Sequence, residues 1–555
     1  MMRNKYLILS VLCLLFFFAN AQSHNEQVTV EGKYRPQIKR SERIVKNPAE
    51  PSNDFFLPNY SVEDRDFDFD YDLEVETLSA MQYKGQYGVE EKENFLKAGI
   101  GSRLSPVFLF RHYSDLSRKM SLGVGVNHYS SWLNMKDYKK SSFMNNAFDL
   151  VSNVKFKSGQ LRVSGNYKYD MYYLRPISAS EENDVARNIH SLNAGLQWTA
   201  NGTSYRDFYN VLGFDYKRTW IAGGISEDML NAKAHVSYSD NWIGKRDKGN
   251  LQTVAVDLLM TYNNVNQGLI ILSANPYFNI DGEFFRVRLG AMVDMKTYDK
   301  VGFYPDLSGS VFVLEDKLEF FASLGGKSKI NTLSQMVSEN PFVNSNFLDL
   351  SEFGYEKTPI DFQGGVRVRV ANNLDASARV GYSIRKNGVF YLPESVKFLN
   401  DSVSEKPLLQ TFDIIFLDYD MLRLVFDLRW RVNEQINVSA ELCYNKYDVR
   451  TEDVYGKAWY KPSLEVDVRG CYILDEEWSF NAHIKALGSR PAIGLDGNEV
   501  SLKPAIDLGL GSDYQLAQNL TAFAEIHNMV HNKYQLYYNY PSVGFELFLG
   551  MKYRF

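Results

Sequence analysis

The chain has 555 residues, enough for several soluble domains or one large barrel, and a formal net charge of only −6. That balance gives no electrostatic case for a nucleic-acid partner, and none is expected. Mean hydropathy is −0.31. Beyond the first residues no apolar run is long enough to cross a bilayer as a helix, although strands with one apolar and one polar face escape that criterion. Aromatic residues are abundant, with 36 Tyr and 36 Phe.

The chain opens on the pattern of a secretory signal. Arg3 and Lys5 precede an apolar stretch from Tyr6 to Phe18, and Ala19-Asn20-Ala21 supplies a small-x-small cleavage site. The signal is assigned to residues 1–21, with Gln22 as the first mature residue. Cys13 lies inside the apolar stretch behind Leu12, where a lipoprotein site would need a small residue.

Residues 22–90 have a different texture. Lys33, Arg35, Lys39, Arg40, Arg43 and Lys46 form a basic run; Pro48, Pro51 and Pro58 follow, then Glu63, Asp64, Asp66, Asp68, Asp70 and Asp72. Such a segment has little core of its own and reads as a periplasmic arm. The alternating aspartates lack the central Gly and terminal Glu of a calcium loop.

From residue 93 onward, segments of period-two alternation follow one another to the end of the chain. Strands are expected near 93–100, 105–115, 119–129, 147–157, 160–173, 188–200, 206–220, 228–241, 252–264, 269–280 and 284–297. They continue near 302–315, 318–328, 358–370, 374–387, 420–432, 436–448, 459–473, 477–488, 503–516, 519–529 and 542–555, about 22 in all. Connections after even-numbered strands are mostly short: Ser158-Gly159, Asp281-Gly282, 371–373, 433–435 and Asp475-Glu476. Several after odd-numbered strands are long: 130–146, 174–187, 329–357, 388–419 and 489–502. Short turns on one side and long loops on the other are the habit of outer-membrane barrels, with the short turns periplasmic. The expected fold is therefore all-β: a closed antiparallel transmembrane β-barrel over 91–555, with both termini in the periplasm. The alternation is least regular between 221 and 301.

The two faces of each strand separate cleanly. Leu161, Val163, Gly165, Tyr167, Tyr169 and Met171 alternate with Arg162, Ser164, Asn166, Lys168 and Asp170; Leu422, Leu424, Phe426, Leu428 and Trp430 alternate with Arg423, Val425, Asp427 and Arg429. An arginine facing lipid at the bilayer midplane costs ~2–4 kcal/mol, so the charged faces must look into the lumen. Strands 14 to 18 concentrate that charge in Arg367, Arg369, Asp375, Arg379, Arg385, Arg423, Asp427, Arg429, Glu441, Glu465, Asp467 and Arg469. The turn at 371–373 sets Arg369 across from Asp375. A lining that selects or binds a solute, and a salt-bridged wall that stiffens a wide barrel, would both use these residues.

Nothing in the sequence calls for catalysis, a metal or a cofactor. Glu525 and His527 share an inward face, with His531 following, but no second acidic pair or third metal ligand accompanies them. His128 reads as an interfacial residue, and Gly123 and Gly125 as positions leaving room in the lumen. Cys443 and Cys471 fall on inward positions of neighbouring strands, too far apart in register to bridge.

The last strand places Phe545, Leu547, Leu549, Met551, Tyr553 and Phe555 on one face and ends the chain on an aromatic residue. It resembles the assembly signal that the barrel-assembly machinery reads in outer-membrane proteins. With the strand number and loop pattern, residues 93–555 resemble the barrel portion of TonB-dependent outer-membrane receptors. The resemblance implies a transport-class barrel in the outer membrane of a Gram-negative bacterium, surrounded by outer-membrane lipid. Those receptors carry a plug domain of over a hundred residues, whereas about 70 residues separate the signal from the first strand here. The chain looks like a plug-less relative, with 22–90 free to recruit a periplasmic or outer-membrane protein. A structural or accessory barrel is the alternative. Twenty-two strands at ~4.8 Å spacing and ~40° tilt close at a backbone diameter of roughly 45 Å, so something must fill the opening: the arm, the loops 329–357 and 388–419, crowded side chains or a partner.

Overall fold

The computed structural model describes residues 94–555 apart from 136–139, 178–184, 201–207, 244–250, 266, 314–316, 346–353, 372, 397–408 and 452–455. The expected signal 1–21, the arm 22–90 and its aspartate run lie outside the described residues.

The described chain forms 22 antiparallel strands in one sheet. They are β1 (Phe95–Gly101), β2 (Ser105–Ser117), β3 (Met120–Ser131), β4 (Phe143–Lys155), β5 (Gly159–Tyr173), β6 (Ala186–Ala200), β7 (Tyr209–Ile221), β8 (Ser226–Asp240), β9 (Leu251–Asn264), β10 (Gly268–Asp281) and β11 (Phe285–Lys296). The second half comprises β12 (Gly302–Val313), β13 (Leu318–Ile330), β14 (Tyr355–Ala371), β15 (Leu374–Pro393), β16 (Phe412–Arg431), β17 (Ile436–Val449), β18 (Leu464–Ile473), β19 (Trp478–Leu487), β20 (Ala505–Ala517), β21 (Leu520–His527) and β22 (Glu546–Arg554). Each pairs with the next in sequence, and β22 returns to pair with β1 from Phe95↔Arg554 to Gly101↔Phe548. The sheet is a closed barrel, which leaves no strand edge unpaired. All 22 expected strands are present, including those in the irregular stretch 221–301.

Closure sorts side chains by parity. On β16 Phe426 is 52% exposed while its neighbour Val425 is 5% exposed, and Trp430 joins Phe426 on the outer face. Along β22 Leu549, Met551 and Tyr553 are exposed on the outside, whereas Glu546, Phe548 and Lys552 are buried inside. A continuous outer belt of exposed Leu, Val, Phe and aromatic side chains is unsustainable in water and suited to lipid. Arg218 shares the outer parity of Trp220, but it sits at the rim with Asp228 3.8 Å away, where the cost of charge is small. Inside, Gly125 and Gly123 stand opposite Arg111 and Tyr113, giving those larger side chains space.

The largest boundary departures from the sequence expectation lie at the end carrying the long connections. β15 runs on to Pro393 and β16 starts at Phe412, so part of the expected loop 388–419 is a paired ribbon with Pro393 opposite Phe412. β18 starts at Leu464; Trp459 and Tyr460 before it are buried elsewhere. The expected loop 329–357 contains a short helix, α1 (Leu333–Glu339).

Candidate functional site: a charged wall beneath a loop-built cap

The inward residues of β14 to β18 form rows across the wall. One row passes from Arg369 to Asp375, Arg429, Ser439 and Arg469; the next passes from Arg367 to Ser377, Asp427, Glu441 and Asp467. Arg369 Nε lies 3.1 Å from Asp375 Oδ1. Arg379 and Ser377 both donate to Asp427 Oδ2, at 3.0 and 2.9 Å. Arg469 grips Asp467 with two bonds of 3.0 and 2.9 Å. Arg367 reaches Glu319 on β13 at 2.9 Å, a partner absent from the sequence-derived set. Arg423 donates to Cys443 Sγ at 3.0 Å, and Asn445 to Glu465 at 2.8 Å. Arg385 stands apart: it is buried at the opposite end of the barrel against Glu356, 3.0 Å away. Cys443 faces Glu465 and Cys471 faces Asn437, and both thiols are free.

A second charged group lines the closing seam. Lys97 of β1 is 2% exposed and donates to both oxygens of Glu525 on β21, at 2.8 and 3.0 Å. Its ammonium lies 4.2 Å from the Phe523 ring centre. Lys552 binds both oxygens of Asp513 at 2.7 Å. His527 Nε2 is 3.9 Å from Glu525 Oε2, so the carboxylate considered as a partner for His527 is engaged by a lysine. Among the described residues no group of three or more His, Cys, Asp or Glu side chains is placed to hold a metal ion.

The long-connection end is covered. Helix α1 begins with Thr332 as N-cap, its hydroxyl accepting from the Gln335 amide at 3.2 Å. Leu333 and Val337 pack on Ile189 of β6 and Ile221 of β7. The fully buried carboxylate of Glu227 on β8 accepts from the Leu333 and Ser334 amides at 2.8 and 3.0 Å, and from Asn263 at 2.6 Å. Arg187 of β6 donates to the Val343 and Pro341 carbonyls. The same short segment also reaches the far side. Glu339 pairs with Lys461, just before β18, and its carbonyl accepts from the Tyr537 hydroxyl at 2.6 Å. The Tyr391 hydroxyl donates to the Met336 carbonyl at 3.3 Å. β7 and β18 lie half-way round the ring from one another. A seven-residue helix is ~10 Å long, so the opposite loops must lean inward to meet it.

They meet in one buried cluster. Met336 and Val343, Tyr391 and Phe412 of the β15–β16 ribbon, Trp459 and Tyr460, Ile493 and Leu502, and Tyr537 and Tyr540 are all nearly inaccessible to solvent. Phe342 stacks on Tyr540 at 3.6 Å between ring centres, and Phe412 lies 5.6 Å from Tyr460 and 5.3 Å from Tyr537. Main-chain pairing ties in the β5–β6 connection, Arg175-Pro176 running beside Leu409-Gln410. Burial pushes the Tyr540 phenol up to about 12 and raises Tyr460 and Tyr537 as well. It also raises the carboxyl of Glu394, which Asp413 adds to and the Thr411 hydrogen bond opposes. The barrel's own loops thus meet across this end in a buried cluster. The sequence named two of those loops as candidate fillers, but not the residues that join them.

No family model matches the chain, and no curated protein matches it. Solved structures do. The FrpB iron transporter from Neisseria meningitidis superposes with a TM-score of 0.62 at 9% identity, over 84% of this chain and 83% of that one. The ferric-catecholate import receptor Fiu from E. coli K12 gives 0.60 at 9% identity, over 84% and 82%. The copper transporter OprC gives 0.57 at 12% identity, over 84% and 80%. At such identity the likeness is one of fold. This chain has the 22-strand barrel fold of outer-membrane receptors and transporters.

Proposed function

We propose that this chain is an outer-membrane barrel of transport class, receptor-like but without the plug domain of TonB-dependent receptors, which binds or passes a solute. The observation that carries the reading is the closed 22-strand ring, apolar outside and charged within, on a fold shared with receptors and transporters of iron and copper. The long connections then face the outside and both termini the periplasm, following the loop habit of such barrels. Outer-membrane lipid surrounds the apolar belt. The barrel-assembly machinery reads the final strand through Phe555, and 22–90 is the segment offered to an envelope protein. The exposed arginines of the β14–β18 wall, Arg367 and Arg369 among them, are the groups a solute in the lumen would meet.

The cap favours a second reading, an accessory barrel whose lumen stays sealed while its arm or loops hold a partner. Single-channel recording of the purified protein in planar bilayers separates the two, using the full mature chain, a form lacking 22–90 and a form with the cap loosened at Lys461→Met. Transport predicts current steps in at least one form. Silence in all three, with folded barrels, overturns it.

A further inference from the structure

We propose that the segment 331–345, carrying α1, is a gate that leaves the barrel wall as a unit while the barrel stays closed, and that Glu227 is its latch. The inference concerns the molecule's own conformations and does not depend on the identity, or existence, of a solute.

Three observations support it. First, the segment adds no strand to the barrel: β13 and β14 are paired from Leu318↔Val368 to Ile330↔Tyr355 beneath it. Its main-chain bonds to its surroundings lie near its ends, from Asn331 to Gly354, from Phe342 and Asn344 to Phe412 at the tip of the ribbon, and from Ile225 to Ser345. Lifting α1 therefore breaks these few bonds and unzips no strand pair of the barrel. Second, beside the apolar packing of Leu333, Met336, Val337, Phe342 and Val343, the segment is held by buried polar groups. Glu227 holds two amides, Arg187 holds two carbonyls, and Lys461 pairs with Glu339. A buried ion pair is a poor stabiliser compared with apolar packing of the same volume, because its groups regain full hydration on release. Third, a helix of seven residues has no stability of its own, so α1 persists only while both sides hold it. Glu227 is the attachment where one side chain satisfies two otherwise orphaned helix amides.

Covalent labelling tests the gate. Val343 is fully buried in the cap. A Val343→Cys reporter in a Cys443→Ser, Cys471→Ser background of the full chain, in lipid nanodiscs, is treated with a membrane-impermeant maleimide. Heat-modifiable gel migration verifies the barrel. With the native latch the reporter reacts slowly. Glu227→Ala accelerates labelling at least tenfold, Glu227→Gln less, and Glu476→Ala, in an exposed turn at the other end of the barrel, leaves it unchanged. Lys461→Met, which frees the opposite side, accelerates it independently. Rapid labelling with the native latch overturns the proposal, because the cap would then not be closed. Native-rate labelling of folded Glu227→Ala overturns the latch. Loss of the folded barrel in both Glu227→Ala and Lys461→Met overturns the gate, since the segment would then be part of the barrel's foundation. Silent bilayer recordings alongside accelerated labelling would contradict transport but leave the gate intact.

Discussion

Breaking the Lys97–Glu525 pair should destabilise the barrel asymmetrically. Both side chains are almost fully buried, at 2% and 5% exposure, on strands flanking β22 at the closing seam. Removing one member of a buried pair strands the other's charge, typically costing about 3–5 kcal/mol. The two removals are not equivalent. Without Lys97, Glu525 still has the Lys552 ammonium 3.8 Å away. Without Glu525, Lys97 keeps the face of Phe523 and only a distant attraction to Asp513, a carboxylate that Lys552 already holds. Glu525→Gln should therefore cost about 3–5 kcal/mol and Lys97→Met about 1–3 kcal/mol. Replacing both, as Lys97→Met/Glu525→Met, should recover much of the larger loss, since no buried charge is left alone. Urea unfolding in detergent micelles, followed by tryptophan fluorescence and gel migration, measures all three. An equal cost for the single variants, or a double variant as unstable as their sum, would refute the reasoning.

Three further outcomes follow from particular contacts. Gly550→Ala should cost about 1–3 kcal/mol in the same assay, because its new Cβ would lie 2.2 Å from the Ala98 carbonyl oxygen and 2.5 Å from the Gly99 Cα, so backbone at the seam must move. Arg369→Ala and Asp375→Ala should each cost no more than about 0.5 kcal/mol, since both side chains are more than half exposed; a larger loss would show that the wall is structural. The cap should loosen as pH rises. Glu394 has a carboxyl raised by burial, so its contribution is complete below its unfolded pKa and lost as pH climbs through the folded value. Tyr540, pushed up to about 12, repeats this sign between pH 10 and 12. Maleimide labelling at Val343→Cys, divided at each pH by the rate of a fully exposed cysteine to remove the thiolate dependence, should thus be slower at pH 4 than at pH 8, and Glu394→Gln should flatten that normalised difference.

The barrel was legible in the sequence because a lipid-facing strand must alternate. Every residue from Leu422 to Trp430 except Val425 obeys a period of two, and short turns such as Asp281-Gly282 punctuate it. The same physics hides the cap. Val389, Phe390, Tyr391 and Leu392 are buried on both faces, so alternation vanishes where the strands leave the membrane and the ribbon reads as loop. Helix α1 did leave a signal: Thr332 followed three residues later by Gln335 is a capping pattern, unremarked inside a long connection. The tyrosines at 534, 537, 538 and 540 were a second trace of a packed loop. The wall residues were identified by parity alone, which could not foresee that Arg385 belongs to the cap end or that Arg367 would take Glu319 across from β13. Glu227, Lys97 and Glu525 owe their roles to strands distant in sequence, and period-two patterning carries no such information.

The central claim, a sheet rolled shut with hydrocarbon outside and charge inside, is tested most directly by scanning spin labels through Arg423 to Arg429 of β16 in nanodiscs. Labels at Leu424, Phe426 and Leu428 should show high accessibility to oxygen and little to a water-soluble nickel chelate. Those at Arg423, Val425, Asp427 and Arg429 should show the reverse preference, alternating residue by residue. A flat profile, or oxygen preference at the arginine positions, would contradict the account.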